Sequence, residues 1–367
     1  MKMKAFKDIQ LSRLGMGCMR LPLDGPKDTC IDIAKAQEII DYAMANGINY
    51  YDTAYVYHTF HSEKFLGEAM KKYPRDSYYL ATKYFIGAAE DYKACFEEQL
   101  ANLQTDHIDF YLVHCLMDGN VDKYIESGCI QYFAEQKKLG RIRNLGFSTH
   151  ASVESTARFL DQYDWDFVQI QLNYYDWLFS TAKQEYELLA SRNIPIMVME
   201  PVRGGRLATL NEESNARLKA IAPDMSIASW AMRWVSSLPA VQVVLSGMTT
   251  MEQIVDNVNT FANTDPLTEA EQKLLLDVCA EYRKQVTVPC TACRYCTDGC
   301  PMEIDIPKVM EIMNAYKING KRALGAIDQL EEGKRPSDCI GCGACTAHCP
   351  QSIDIPAVMA ELSEAAK

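Results

Sequence analysis

No apolar run in this 367-residue chain approaches the ~20 residues that a membrane-crossing helix needs. An excess of positive charge is also missing. Lys and Arg number 37 against 49 Asp and Glu, for a formal net charge of −12. With no basic stripe to neutralise phosphates, neither a nucleic-acid partner nor an anionic membrane surface is expected. The first residues, MKMKAFKDIQ, hold no apolar core and no cleavage pattern, so no secretory signal is expected there. Low-complexity segments are absent. The glycine-rich phosphate turn of a doubly wound dinucleotide fold survives only as Gly15 and Gly17, with Arg20 where the third glycine belongs.

Cysteine, by contrast, is plentiful: 14 residues, eight of them in two copies of one pattern. Cys290, Cys293, Cys296 and Cys300 precede Pro301, and Cys339, Cys342, Cys345 and Cys349 precede Pro350. Each copy reads C-x2-C-x2-C-x3-C-P, the bacterial ferredoxin run whose thiolates hold 4Fe-4S clusters. In two-cluster proteins the fourth cysteine of each run serves the other cluster. One ligand set is therefore expected to be Cys290, Cys293, Cys296 and Cys349, the other Cys339, Cys342, Cys345 and Cys300. Zinc also takes C-x2-C pairs, but usually with a longer gap between two pairs. The remaining cysteines (Cys18, Cys30, Cys95, Cys115, Cys129 and Cys279) are scattered, and most of them read as small core residues. Free thiols and clusters together point to a reducing cytoplasm.

Length alone suggests two domains. Strand candidates are LGMGC from Leu14, INYYDTA from Ile48, YYLATK from Tyr78, IDFYLVH from Ile108, IRNLGFS from Ile142, FVQIQLN from Phe167, IPIMVME from Ile194 and VQVVLSG from Val241. Helical patterns such as IAKAQEIIDYAMANG, with Gly47 as a stop, and YKACFEEQLANL lie between them. Eight strands alternating with helices predict a (β/α)8 TIM barrel, an α/β fold. A helix capped by Thr268 and Glu271 closes it. The predicted domains are residues 1–284, the barrel, and 285–367, a mainly α-helical ferredoxin-like domain. The second carries an internal echo, CPMEIDIPKVM against CPQSIDIPAVM.

Four residues fall where a barrel keeps its chemistry, at the C-terminal ends of its strands: Asp52, Tyr57 in the following loop, Lys83 and His114. A phenol is a weak acid at neutral pH. An adjacent ammonium favours its ionised form, a carboxylate holds that ammonium, and a histidine can orient a carbonyl oxygen. Taken singly each has an ordinary explanation; together they read as a proton-transfer site.

DTAYVYH, TK at Lys83 and DFYLVH carry a tetrad that resembles that of the aldo-keto reductase family. HSEKFLGEAM, GFSTH, VQIQLN and LSGMTTMEQIVDN resemble further segments of it. The likeness runs from about residue 8 to residue 260, and the tail resembles a two-cluster α-helical ferredoxin. The resemblance implies hydride transfer between NAD(P)H and a small carbonyl or alcohol, with Tyr57 as proton donor. It also implies that Ser148, Thr149 and Gln169 bond the nicotinamide carboxamide. Gly247, Met248, Thr249, Gln253 and Asn257 would line the adenosine end. Met199 stands where an aromatic residue usually stacks on the nicotinamide, and Thr149 where Asn is frequent. No charged residue stands at Gly247, Met248 or Gln253 to grip a 2′-phosphate, so NADP is not favoured over NAD. His58 replaces a common glycine; it and His61 are candidate substrate contacts. Arg20, Arg203 and Arg206 are candidate anion binders.

A hydride site and one-electron clusters exchange electrons only through a two-to-one converter such as a flavin. Three functional readings follow. The chain is an NAD(P)H-dependent oxidoreductase whose clusters stand apart. Alternatively, FMN, or a ferredoxin or flavoprotein partner, couples the clusters to the barrel. In the third, the chain is a non-catalytic electron-transfer subunit.

Overall fold

The computed structural model describes residues 1–25, 27–284 and 288–366. Ten strands are present among them: β1 (Met3–Phe6), β2 (Ile9–Ser12), β3 (Leu14–Gly17), β4 (Tyr50–Asp52), β5 (Tyr79–Tyr84), β6 (Ile108–Leu116), β7 (Ile142–Thr149), β8 (Phe167–Gln171), β9 (Ile196–Met199) and β10 (Val241–Ser246). Strands β3 to β10 pair in parallel and close into an eight-stranded barrel in which β10 meets β3. Each is one of the eight strands expected from the sequence.

The helices obey the same local chemistry. Helix Ile33–Ala45 starts where the Asp32 side chain accepts from the Lys35 amide, and the chain leaves it through Gly47 at φ +80°. Asp91 accepts from the amides of Lys93 and Ala94 at the start of helix Tyr92–Leu103. The Thr268–Glu271 capping box forms ahead of helix Glu269–Arg283, with the Thr268 amide 2.8 Å from Glu271 Oε2.

The antiparallel β1–β2 hairpin is not foreshadowed above. Its two turn residues offer no glycine, yet Lys7 adopts φ +52°. Phe6 and Leu11 are buried with Tyr50, Phe110, Phe167 and Met197, so the hairpin supplies part of the barrel's inner packing. The Phe6 and Phe110 rings meet edge-on at 5.3 Å.

Contacts divide the chain into two compact units, Met1–Pro201 with Ala228–Gln272, and Val202–Ile227 with Lys273–Lys367. The sequence-based domain boundary at Gln285 lies outside the described residues. The second unit builds on the repeat. Helices Ile306–Asn319 and Ile355–Ala365 begin at equivalent points, each with proline in its first turn. Ile304, Ile306 and Met310 of one copy share a core with Ile353, Ile355 and Met359 of the other.

Gly67, inside helix Ser62–Met70, shows why that helix carries a glycine. A Cβ there would sit 2.2 Å from the Asn102 carbonyl oxygen and 3.0 Å from the Leu103 Cα. Gly67→Ala gains ~1 kcal/mol of helix propensity but forces two backbones apart, at a cost on the order of 1–3 kcal/mol. The expected outcome is a lower midpoint in thermal or urea unfolding. An unchanged or higher midpoint would show that the two helices can separate freely.

Candidate active site and cluster cavities

The four tetrad candidates come together at one end of the barrel. Lys83 Nζ donates to Asp52 Oδ1 at 2.6 Å and to the Thr53 carbonyl at 2.6 Å. Lys83 is fully buried and Asp52 nearly so. Its ammonium lies 5.0 Å from the centre of the Tyr57 ring. Tyr57 in turn meets the His114 ring edge-on at 5.8 Å, and Phe85 meets His114 at 5.9 Å. Burial pushes the Asp52 carboxyl above its ordinary value and the Lys83 ammonium below its own, while each partner's charge opposes both shifts. His114 is held well below 6.5 by burial, then by the charges of Lys83 and His150. Its imidazole is therefore neutral at pH 7, and His114 Nδ1 is buried without a partner.

What aims His114 was not legible in the sequence. The β6–β7 register slips between Val113 and Leu116, and Cys115 adopts φ +56° in the resulting bulge. Ser148 Oγ accepts from the Cys115 amide at 2.9 Å, and Tyr124 donates its hydroxyl to the His114 carbonyl at 2.5 Å. Ser148 thus braces the neighbouring strand, and the cap of helix Val153–Leu160 falls to Ser152 instead.

The expected nicotinamide residues lie on β7, β8 and β9, and the expected adenosine residues in the loop after β10 and on helix Met251–Asn263. Gln169 Nε2 is 3.7 Å from the Met199 sulfur, and Gln169 Oε1 is buried without a partner. Thr149 Oγ1 accepts from the Ala151 amide and meets Thr156 Oγ1 at 3.0 Å. After β10, Gly247 approaches the Arg20 side chain so closely that an added Cβ would touch it at 3.1 Å. Met248 is fully buried. Gln253 Oε1 accepts from the Thr249 amide at 2.7 Å and from the Thr250 amide at 3.3 Å, the latter in the Thr250–Gln253 capping box that opens helix Met251–Asn263, and Asn257 donates to Ser246 at 3.0 Å.

His58 proves to be a brace rather than a surface that meets substrate. It is buried, its Nε2 accepts from the Leu21 amide at 3.2 Å, and its Nδ1 donates to the Asp28 carbonyl at 2.9 Å. With His58, Thr59 and Phe60 all at positive φ, the turn after Tyr57 is strained and depends on this anchorage. His61 is exposed, and its Nδ1 meets the local carbonyls of His58 and Thr59 at 3.0 and 2.7 Å. Arg20 pairs with Glu200 at 3.1 Å. Arg203 belongs to the second unit and donates to Gln351.

In the second unit the cysteines gather in the crossed sets. Cys290, Cys293, Cys296 and Cys349 border one cavity. Cys300, Cys339, Cys342 and Cys345 border another. The backbone turns around both in the same way: Ala292 and Gly341, Arg294 and Gly343, and Glu303 and Ser352 all have positive φ at equivalent repeat positions. The Ala292 amide donates to Cys290 Sγ at 3.3 Å. Four thiols around a mostly apolar pocket, with amides aimed at sulfur, is the donor set that a cubane cluster requires.

The aldo/keto reductase family matches residues 13–278, and the 4Fe-4S dicluster domain matches residues 289–353. The chain is similar to the uncharacterized oxidoreductase YqkF of Bacillus subtilis, at 28% identity over 303 residues, which is 73% of this chain and 92% of the relative. It is also similar to the NADH-specific methylglyoxal reductase of Escherichia coli, at 27% identity over 311 residues, covering 68% of this chain and 90% of that enzyme. Among solved structures, the holo form of aldo-keto reductase AKR11C1 from Bacillus halodurans superposes with a TM-score of 0.62 at 28% identity, covering 76% of this chain and 96% of that one. No helix among the described residues is long and apolar enough to cross a membrane.

His150, at the end of β7, escaped the sequence reading although it stands beside Ser148 and Thr149 in GFSTH. Burial lowers its imidazole to about 4, and the Asp176 charge opposes that shift. The unfolded chain binds this proton below its ordinary 6.5, whereas the folded chain refuses it until about 4. Stability is therefore full above pH 6.5 and is lost as pH falls toward 4. His150→Gln is expected to flatten the pH dependence of the unfolding midpoint across this window. An unaltered slope would show that His150 is not the group responsible.

Proposed function

The chain belongs to the aldo/keto reductase family, and we propose that its barrel transfers hydride between a nicotinamide dinucleotide and a small carbonyl or alcohol, with Tyr57 as the proton donor. The observation that carries this reading is the buried Lys83 ammonium, 2.6 Å from Asp52 and 5.0 Å from the Tyr57 ring centre. The nicotinamide supplies the hydride when bound. In the reductive direction Tyr57 gives its hydroxyl proton to the substrate oxygen as the carbonyl carbon becomes tetrahedral. Lys83 stabilises the negative charge left on the phenol oxygen, and Asp52 keeps Lys83 in place. The neutral His114 ring bonds the carbonyl oxygen and fixes its direction.

Ser148, Thr149, Gln169 and Met199 hold the nicotinamide end. Gln169 Oε1, buried without a partner, is an acceptor that a carboxamide NH2 satisfies. Gly247, Met248, Thr249, Gln253 and Asn257 take the adenosine end. Gln253 spends its side-chain oxygen on the Thr249 amide, and the nearby cation Arg20 is paired with Glu200. A 2′-phosphate lacks a dedicated partner there, which favours NADH over NADPH. The NADH-specific Escherichia coli relative is in keeping with this choice.

The tail holds two 4Fe-4S clusters in the crossed cysteine sets, on a domain of residues 285–367 that follows a barrel of residues 1–284. The protein works in the reducing cytoplasm on a small carbonyl or sugar-like compound, and no nucleic acid or membrane takes part.

Tyr57→Phe is expected to lower kcat by about 10²–10⁴ while leaving NADH binding and the cluster spectrum intact. Turnover near the parent level would remove Tyr57 from the proton-donor role. An anaerobic visible spectrum recorded before and after NADH addition decides whether the clusters take part. An unchanged cluster absorbance, with NADH bound, is expected. Bleaching would instead mean that a flavin or an electron partner links clusters and barrel. Cys296→Ser is expected to cost one cluster and leave the barrel's unfolding midpoint in place; a fall in both would tie the barrel's stability to the clusters.

A further inference from the structure

The two repeats of the tail are alike in backbone but not in charge. The cavity of Cys300, Cys339, Cys342 and Cys345 is bordered by apolar side chains such as Met302, Ile304 and Ile340, with no charged residue among its described lining. The cavity of Cys290, Cys293, Cys296 and Cys349 includes Arg294 and Gln351. Gln351 occupies the repeat position of Met302, two residues after the fourth cysteine in each copy.

Gln351 works at both ends. Its backbone, two residues after Cys349, borders the same cavity as that cysteine. Its side-chain oxygen accepts from Arg203 Nη2 at 3.0 Å. Arg203 is only 3% exposed and stands at φ +50° in the turn Val202–Arg206, beside Gly204 and Gly205 at φ +64° and +91°. A left-handed arginine is unfavourable, and burying its guanidinium adds a desolvation cost. Packing in the second unit sustains both. The outcome is a fixed cation held by a side chain that borders one cavity and whose repeat counterpart at the other is Met302.

We propose that Arg203, carried by Gln351, is a tuning residue that raises the reduction potential of the cluster held by Cys290, Cys293, Cys296 and Cys349. A cubane with four thiolates is anionic, and uptake of one electron adds a further negative charge. A nearby buried cation, together with hydrogen bonds to sulfur, stabilises that reduced form. The contribution is a shift specific to one cluster. The absolute order of the two potentials also depends on solvent access at the exposed Cys342 of the other set. The inference rests on the crossed ligand sets proposed above.

The test is an EPR-monitored redox titration of the anaerobically reconstituted full-length protein with dithionite and mediators. Iron and sulfide content are measured in parallel. In the parent, the wave that Cys296→Ser abolishes identifies the cluster in question. Arg203→Gln is expected to lower the reduced-to-oxidised ratio of that cluster about tenfold at a fixed potential, which is about 59 mV for one electron, without moving the other wave. Gln351→Met, which makes the repeats alike, should move the same wave in the same direction, and Arg203→Lys should recover most of the parent value. Full cluster content with neither wave shifted, or with both shifted equally, overturns the proposal. If Arg203→Gln fails to fold, Gln351→Met and Arg203→Lys still decide it. Parent protein that assembles only one cluster, or loses both waves in Cys296→Ser, would instead strike at the ligand sets.

Discussion

The Lys83–Asp52 ion pair is the interaction on which the chemistry proposed for the barrel depends. Removing both charges from water is expensive, and in a buried pair the Coulombic attraction roughly offsets the cost only with good geometry and additional hydrogen bonds. Here the 2.6 Å contact and the Thr53 carbonyl supply these. A network on the other side of β5 steadies the same strand. Gln99 donates to the Lys83 carbonyl and to the buried Glu63, which also accepts from Thr82 at 2.5 Å. The pair contributes little to stability by itself; its use is to hold a positive charge in a dry place beside a phenol. Tyr57 and His114 are then positioned by strain held elsewhere, the left-handed turn at His58, Thr59 and Phe60 and the bulge at Cys115.

The tail follows a different logic. Its two copies are too small to bury much apolar surface alone, so they share one core around the two thiol-lined cavities. Non-glycine residues at positive φ in one copy, Ala292 and Arg294, match glycines in the other, Gly341 and Gly343. The backbone path around the cavity is thus set by the position of the cysteines, and the first copy tolerates strain that the second avoids. The segment Val202–Ile227 joins this unit although it lies in the chain between β9 and β10. Its Arg203 adds a buried cation to the asymmetry that Arg294, opposite Gly343 in the repeat, already gives the two cavities.

Much of this was legible in the sequence, for reasons that are local. Strand and helix periodicities follow from which face is buried, so the eight barrel strands and their capped helices could be read directly. The cysteine spacing reflects the geometry of a cubane, and the tetrad residues declare themselves by falling at successive strand ends. The hairpin Met3–Ser12 was missed because its alternation is short and its turn contains no glycine. His58 was misjudged because a histidine beside a reactive tyrosine suggests contact with substrate, whereas both of its ring nitrogens are taken up by the backbone near Leu21 and Asp28. His150 and the Ser148 brace were not legible because their partners, Asp176 on helix Tyr174–Phe179 and Cys115 on β6, lie on other elements.

What the chain determines by itself is therefore the alternation of elements, the candidate side chains at the strand ends and the spacing of the thiols, since each depends on neighbours a few residues away. Tertiary structure alone decides which nitrogen of a histidine is spent, which thiol faces which cavity, and where a buried cation stands. Those outcomes depend on distances between residues far apart in the chain, such as Arg203 and Gln351 or Cys290 and Cys349, and electrostatic energies in a dry interior vary steeply over such distances.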